Sequence, residues 1–299
     1  MQIQSLSVVV PNKRCVNNCP FCVSRMLNNS NEYPNLMDIN HPRYDINVRE
    51  YLKRLRFVAD NGCQTLILTG TSEPQQNKQF LATFALLHQQ IGSPFTNIEM
   101  QTTGMGLHNN RDYIRFLRNF VGVNTVALSI NSMNDKQNLE LLGHKENSLK
   151  PSLVIAELCA LLKEYDFNIR CCINLTDAFN NETLLSICKW AVEVARANQI
   201  TFRWLYASDE DTPQSKWIEE HKASLAIFQA QAMEQINYHG SPISKTAYGA
   251  KCYDIMGASV VFDGDCMGKD PKSDVKKFLI LRPNCKLYSQ WDSTASLVF

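Results

Sequence analysis

The chain has 299 residues, 44% apolar and 20% charged, with a formal net charge of +1. That suits one globular domain of barrel size, or one domain with a small appendage. It argues against a nucleic-acid partner held by a broad basic field, and no apolar run is long enough to span a membrane.

In chain order, Ser5–Val10 reads as a strand, and a polar, asparagine-rich segment, Val23–Pro42, comes later. Asn47–Asn61 carries Val48, Leu52, Leu55 and Val58 near helical spacing, with Gly62 placed to end the helix. The alternation then repeats. Strands are expected at Thr65–Leu68, Ile98–Gln101, Thr125–Ile130, Asn168–Leu175 and Ile200–Tyr206. Helices are expected at Phe80–Ile91, Asp112–Phe120, Leu153–Tyr165, Glu182–Asn198 and Ser215–Ile236. Such alternation implies parallel strands joined by right-handed crossovers, as an open doubly wound sheet or a partial barrel. Past Gly240 the pattern turns to strands, Ala258–Phe262 and Lys277–Leu281, with Lys286–Trp291 as a continuation or a further strand and Asp263-Gly264-Asp265 as a turn. The expected division is 1–240 as the α/β domain and 241–299 as a β-rich appendage over one end of it.

The strongest chemical signal follows the first strand. Cys15, Cys19 and Cys22 stand in the pattern C-x3-C-x2-C. Three thiolates on one loop can bind three irons of a cubane cluster and leave the fourth iron open. Core-filling thiols fit poorly, because Lys13, Arg14, Asn17 and Asn18 make the loop polar. Structural zinc commonly draws four ligands as two pairs, and no second C-x2-C pair is present. The eleven cysteines, without a basic-apolar leader ahead of them, point to reduced thiols in a cytoplasm.

This loop, with the aromatic Phe21 before its last cysteine, resembles the signature of the radical S-adenosylmethionine (SAM) superfamily. The resemblance implies a fold: a (βα)6 partial TIM barrel, here with a small C-terminal β-rich appendage. It implies two cofactors, a 4Fe-4S cluster held by Cys15, Cys19 and Cys22, and SAM chelated to the open iron. One-electron reduction then splits SAM into methionine and a 5′-deoxyadenosyl radical, which takes a hydrogen from substrate.

In a parallel barrel, chemistry gathers on the loops after the strands' C-terminal ends. The resemblance therefore assigns further residues there. Gly70 and Glu73, in Thr-Gly-Thr-Ser-Glu-Pro, stand where relatives hold the SAM amino group, although the usual glycine pair is absent. Thr103 after the third strand and Ser129 and Asn131 around the end of the fourth are candidates for the SAM ribose or carboxylate. Asn174 and Thr176, at the end of the fifth, are candidates for the adenine or ribose. Arg203, in the sixth, is a candidate for a carboxylate or phosphate. Tyr206, Tyr248, Lys251 and Tyr253 are possible pocket residues that the sequence does not place.

Cys63, Cys159, Cys171, Cys172 and Cys188 read as core thiols. Cys252, Cys266 and Cys285 are either buried thiols or ligands of an auxiliary cluster. The expected partners are a small polar or nucleotide-like substrate and a low-potential electron donor of flavodoxin or ferredoxin type. Peptide or RNA modification is the alternative within the family. A non-catalytic iron–sulfur carrier or sensor is the alternative outside it.

Overall fold

The computed structural model describes residues 2–12, 14–27, 46–144, 153–209, 211–223, 234–236, 238–245, 251–263, 275–291 and 293–299. Six strands carry the expected alternation: β1 (Gln2–Val9), β2 (Thr65–Thr69), β3 (Asn97–Thr102), β4 (Thr125–Ile130), β5 (Asn168–Asn174) and β6 (Gln199–Arg203). They pair in parallel in sequence order.

Most of the described helices between them start on polar caps that the sequence supplies locally, the helix Ile155–Glu164 after Val154 being an exception. Asn47, Asn77, Asn110 and Asn134 each accept a backbone N–H three residues ahead. Thr183 and Ser186 form a reciprocal capping box. The expected helix over Asp112–Phe120 is α-helical over Arg111–Phe116 and π-helical over Leu117–Val121, and Gly122 at φ 84° ends it. The helix Leu184–Glu193 stops short of the expected Asn198; Ala197 turns its N–H back to the Ala191 carbonyl and Arg196 takes a positive φ of 51°. A short helix at Asp135–Leu141 was not anticipated. The last expected helix is seen as Pro213–His221, and its remainder falls largely outside the described residues.

The C-terminal segment is β-rich, as expected, but its strands enter the same sheet. These are β7 (Ser241–Lys245), β8 (Lys251–Ile255), β9 (Ala258–Asp263), β10 (Val275–Leu281) and β11 (Leu287–Tyr288). The order is β11-β10-β1-β2-β3-β4-β5-β6-β9-β8-β7. β10 runs parallel to β1 and β9 parallel to β6, so two distant strands lengthen the arc of six at both ends. β7, β8 and β11 are antiparallel additions outside them. The expected turn at Asp263-Gly264-Asp265 lies mostly outside the described residues.

Alternation along each strand separates two faces. Ile98, Met100, Val126, Leu128, Ile130, Ile169 and Ile173 are buried in one apolar core with helix residues Phe84, Leu158, Leu162 and Ile187. Cys63, Cys159, Cys171, Cys172 and Cys188 are buried, as expected of core thiols. The opposite, inner face carries Glu99, Gln101, Ala127, Ser129, Arg170, Thr201 and Arg203. Closed parallel barrels usually fill this space with bulky branched residues. Here the side chains are small or polar, and Gln101, Ser129, Asn174, Thr201 and Arg203 remain half-buried.

Candidate metal and cofactor site

The cysteine loop begins where β1 ends and lies over the C-terminal ends of its neighbours. Val10 donates to the Thr69 carbonyl at 2.7 Å. Gly70 lies so close that a Cβ there would stand 2.8 Å from the Val10 carbonyl oxygen. Asn77 Nδ2 donates to the Pro11 carbonyl at 2.6 Å and Asn12 Nδ2 to the Glu73 carbonyl at 3.1 Å. Gln76 bridges the loop twice, accepting from Val16 N–H and donating to the Arg14 carbonyl, both at 3.1 Å. Farther along, Asn18 N–H donates to the Leu142 carbonyl at 2.8 Å. A Cβ on Gly143, at φ +83°, would meet the Asn18 carbonyl oxygen at 2.6 Å. The loop is thus fixed to the segments after β2 and β4.

Cys15, Cys19 and Cys22 are half-buried free thiols. Burial pushes the Cys15 and Cys19 thiols up, and for Cys19 the neighbouring Cys22 and Cys15 push in the same direction. Thiols this crowded need a positive centre to ionise together, which bound iron supplies. Among the described residues, no three His, Cys, Asp or Glu side chains converge as one metal ion would require. A cubane spreads its ligands over separate irons. Three thiol donors on one half-buried loop match the donor set that such a cluster takes.

Glu73, at the end of the loop after β2, is 6% exposed. Its Oε1 accepts from Asn17 Nδ2 at 3.0 Å and its Oε2 from Thr102 Oγ1 at 2.6 Å. The Thr103 N–H reaches both oxygens, at 3.2 and 3.1 Å. Burial raises the Glu73 pKa, while the bonds from Thr102 and Thr103 oppose that rise. A carboxylate has about four acceptor positions, and the contacts from Asn17, Thr102 and the shared Thr103 N–H take up all of them. Ser72 Oγ, in the same loop, is buried with no hydrogen-bond partner among the described residues. An orphaned hydroxyl at this point suits a bound polar group.

The other predicted residues are distributed differently. Asn131 is fully buried; its Nδ2 donates to Asn138 Oδ1 at 3.3 Å and its Oδ1 accepts from Asn174 Nδ2 at 2.8 Å. Thr176 Oγ1 donates to the Asn131 carbonyl at 3.0 Å. Asn131 and Asn174 therefore join the loops after β4 and β5. Ser129 and Arg203 lie on the inner face, half-buried. Phe21 packs on Trp217, with ring centroids 5.4 Å apart, and Trp217 stacks on His221 at 4.3 Å. Cys252 is on β8 and Cys285 follows β10, toward opposite ends of the strand order, while Cys266 lies outside the described residues. Tyr253 is buried on β8 beside a cavity of about 490 Å³ that Lys251 also lines. Tyr248 lies outside the described residues.

Sequence reading missed the roles of Asn17, Ser72 and His144. Asn17 is 3% exposed, although it stands between two loop cysteines. His144 Nε2 lies 2.9 Å from Asn17 Oδ1. His144, Val16, Gln75 and Tyr113 also line a cavity of about 440 Å³ beside the loop.

A partial parallel barrel with a three-cysteine loop after its first strand defines a class of cluster-dependent enzymes. The family model of the radical SAM superfamily matches residues 9–190, more than half of the chain. The chain belongs to the radical SAM superfamily. It is an enzyme of that family, whose cofactors are a 4Fe-4S cluster and SAM. No curated protein matches it by sequence. Among solved structures it is similar to Streptococcus suis SuiB bound to SAM, with 10% identity, a TM-score of 0.53, and coverage of 96% of this chain and 58% of that one. It thus spans less than two thirds of SuiB. It is also similar to native anSMEcpe with bound SAM, with 12% identity, a TM-score of 0.54, and coverage of 97% and 75%. These likenesses show the fold. Among the described residues, no helix is long and apolar enough to cross a membrane.

Proposed function

We propose that Cys15, Cys19 and Cys22 hold the cluster and that the chain takes a hydrogen from a small polar or nucleotide-like substrate placed against the inner face of the sheet. The observation that carries this reading is the seating of the cysteine loop. Contacts from Asn12, Asn17, Gln76 and Asn77 tie it over strand ends whose inner face is polar and partly accessible.

When bound, the cluster and SAM together supply one-electron cleavage of the sulfonium and with it a hydrogen-abstracting radical. The chain's own part is binding, orientation and exclusion of water. Gly70 keeps the loop after β2 against β1, and Ser72 Oγ and the Glu73 carboxylate receive the amino group of SAM. Thr103, Ser129 and Asn131 line the ribose and carboxylate side and Asn174 the adenine or ribose side, Asn131 and Asn174 chiefly by fixing their loops. Phe21, braced by Trp217, flanks the last cysteine. Arg203 faces the substrate and suits a carboxylate or phosphate on it. Residues 1–240 carry the chemistry, and 241–299 flank the barrel. The electron comes from a cytoplasmic low-potential flavodoxin or ferredoxin.

The test is anaerobic reconstitution of the full chain with iron and sulfide, reduction with dithionite, and assay of SAM for 5′-deoxyadenosine. Formation of that product, lost on replacing any of the three cysteines, is the expected result. A reduced, cluster-loaded chain that forms none overturns the proposal.

A further inference from the structure

Asn17 is the most constrained polar residue of the cysteine loop. Its Nδ2 donates to Glu73 Oε1 and to Thr103 Oγ1, both at 3.0 Å. Those contacts use both amide protons, and the carboxylate acceptor fixes which end of the amide is nitrogen. Oδ1 therefore faces His144 Nε2 at 2.9 Å, and that ring nitrogen carries the proton. The backbone carbonyl of Asn17 accepts from Arg25 Nη2 at 3.2 Å. With side chain and carbonyl both held, the Cα of Asn17 is fixed and the turn of its backbone N–H is restricted. The Asn17 N–H points at Cys15 Sγ, 3.4 Å away.

We propose that Asn17 is a positioning residue that aims its own backbone N–H at Cys15 Sγ and thereby sets the reduction potential of the cluster. The inference rests on the reading of Cys15 as a cluster ligand. A hydrogen bond to a ligand sulfur stabilises the more negative, reduced cluster and so raises its potential. The N–H belongs to the backbone and survives any substitution at 17. What the side chain supplies is its direction, through Glu73 and Thr103 on one side and His144 on the other. The rest of the loop does not depend on this anchor, because Asn12, Gln76, Asn77 and the Asn18 N–H hold it separately. Glu73 is a poor residue for the test, because removing it also removes a negative charge that acts on Cys15 and Cys19.

The experiment is a potentiometric titration, followed by EPR, of the reconstituted full chain without SAM, comparing wild type with Asn17→Ala and His144→Ala. Asn17→Ala should keep its iron and take a midpoint more negative than wild type. His144→Ala, which removes one of the anchors, should shift the same way by less. A merely structural role would lower cluster occupancy and leave the midpoint of the remaining clusters in place. An unchanged or more positive midpoint in Asn17→Ala overturns the inference. If that variant fails to hold a cluster, an unchanged midpoint in His144→Ala does so. A wild-type chain that binds no 4Fe-4S cluster removes the reading of the cysteines instead, an outcome distinct from an unshifted potential.

Discussion

Arg170 on β5 reaches across β4 to Glu99 on β3, with Nη1 2.7 Å from Oε2. The crossing is possible because Ala127, the β4 residue in register with Arg170, is small. Arg170 Nε also donates to Gln199 on β6 at 2.8 Å, and Gln101 and Thr69 continue the chain of contacts toward β2. One polar network thus spans the inner face from β2 to β6, where an ordinary barrel would carry aliphatic layers. Glu99→Ala should cost about 2–3 kcal/mol in urea unfolding, below the roughly 3–5 of a fully buried pair, because the Arg170 side chain keeps 27% exposure. Glu99→Ala with Arg170→Met should recover part of that loss; a double variant as unstable as the sum of the singles would contradict the pairing.

Gly70→Ala should damage the cysteine loop more than the barrel. The new Cβ would stand 2.8 Å from the Val10 carbonyl oxygen, a backbone atom that cannot rotate away. Strain of this kind costs about 1–3 kcal/mol. Because the shift falls where β1 enters the loop, iron retained after reconstitution should drop by more than the melting temperature alone accounts for.

Ser72→Ala tests the orphaned hydroxyl. One net hydrogen bond is worth about 0.5–1.5 kcal/mol, or roughly 2- to 10-fold in affinity. Calorimetry of SAM on the cluster-loaded variant should show weakening of that order with the iron content unchanged. Equal affinity would separate Ser72 from the cofactor.

His88 should give the chain an acid-sensitive stability. Its ring is buried between Phe84 and Phe95, with centroids 5.8 and 5.4 Å away, and Nε2 accepts from the Phe95 N–H at 3.2 Å. Burial lowers its pKa from 6.5. The unfolded chain therefore binds the proton more readily, and stability falls as pH drops below about 6.5 toward the folded value. Thermal melts at about pH 5 and pH 7.5 should differ less for His88→Gln, which keeps an acceptor but does not titrate. Equal differences in the two proteins would exclude His88 as the source.

Cys285→Ala and Cys252→Ala should leave the iron count at the wild-type value. Cys285 Sγ lies 3.7 Å from the carbonyls of Asn47 and Pro283, and burial raises its pKa, which suits a core thiol. A lower iron count in either variant, measured against intact folding by circular dichroism, would reveal a second cluster.

The legible parts of this chain were local. Strand β4 has the bounds that its alternation predicts, and the helical spacing of Val48, Leu52, Leu55 and Val58 marks the helix Val48–Asp60. The strands β7 and β8 escaped notice because Ser241–Lys245 and Lys251–Ile255 lack an apolar period strong enough to stand out. Glu73 was singled out from its place after β2, yet its bond to Asn17 spans 56 residues of sequence, and no spacing rule encodes such a contact.

By itself, then, the sequence determined the cysteine triplet, its place after the first strand, and the succession of strands and helices behind it. Each follows from neighbours within a few positions: thiol spacing, helical period and caps. Only the tertiary structure decided that β10 lies beside β1, where Ser5 Oγ donates to the Lys277 carbonyl at 3.0 Å, and that β9 lies beside β6. It also decided that Asn17, Glu73 and His144 meet beneath the loop. Strand order and buried hydrogen bonds are settled by which distant groups can satisfy one another once water is excluded, and that condition exists only in the folded chain.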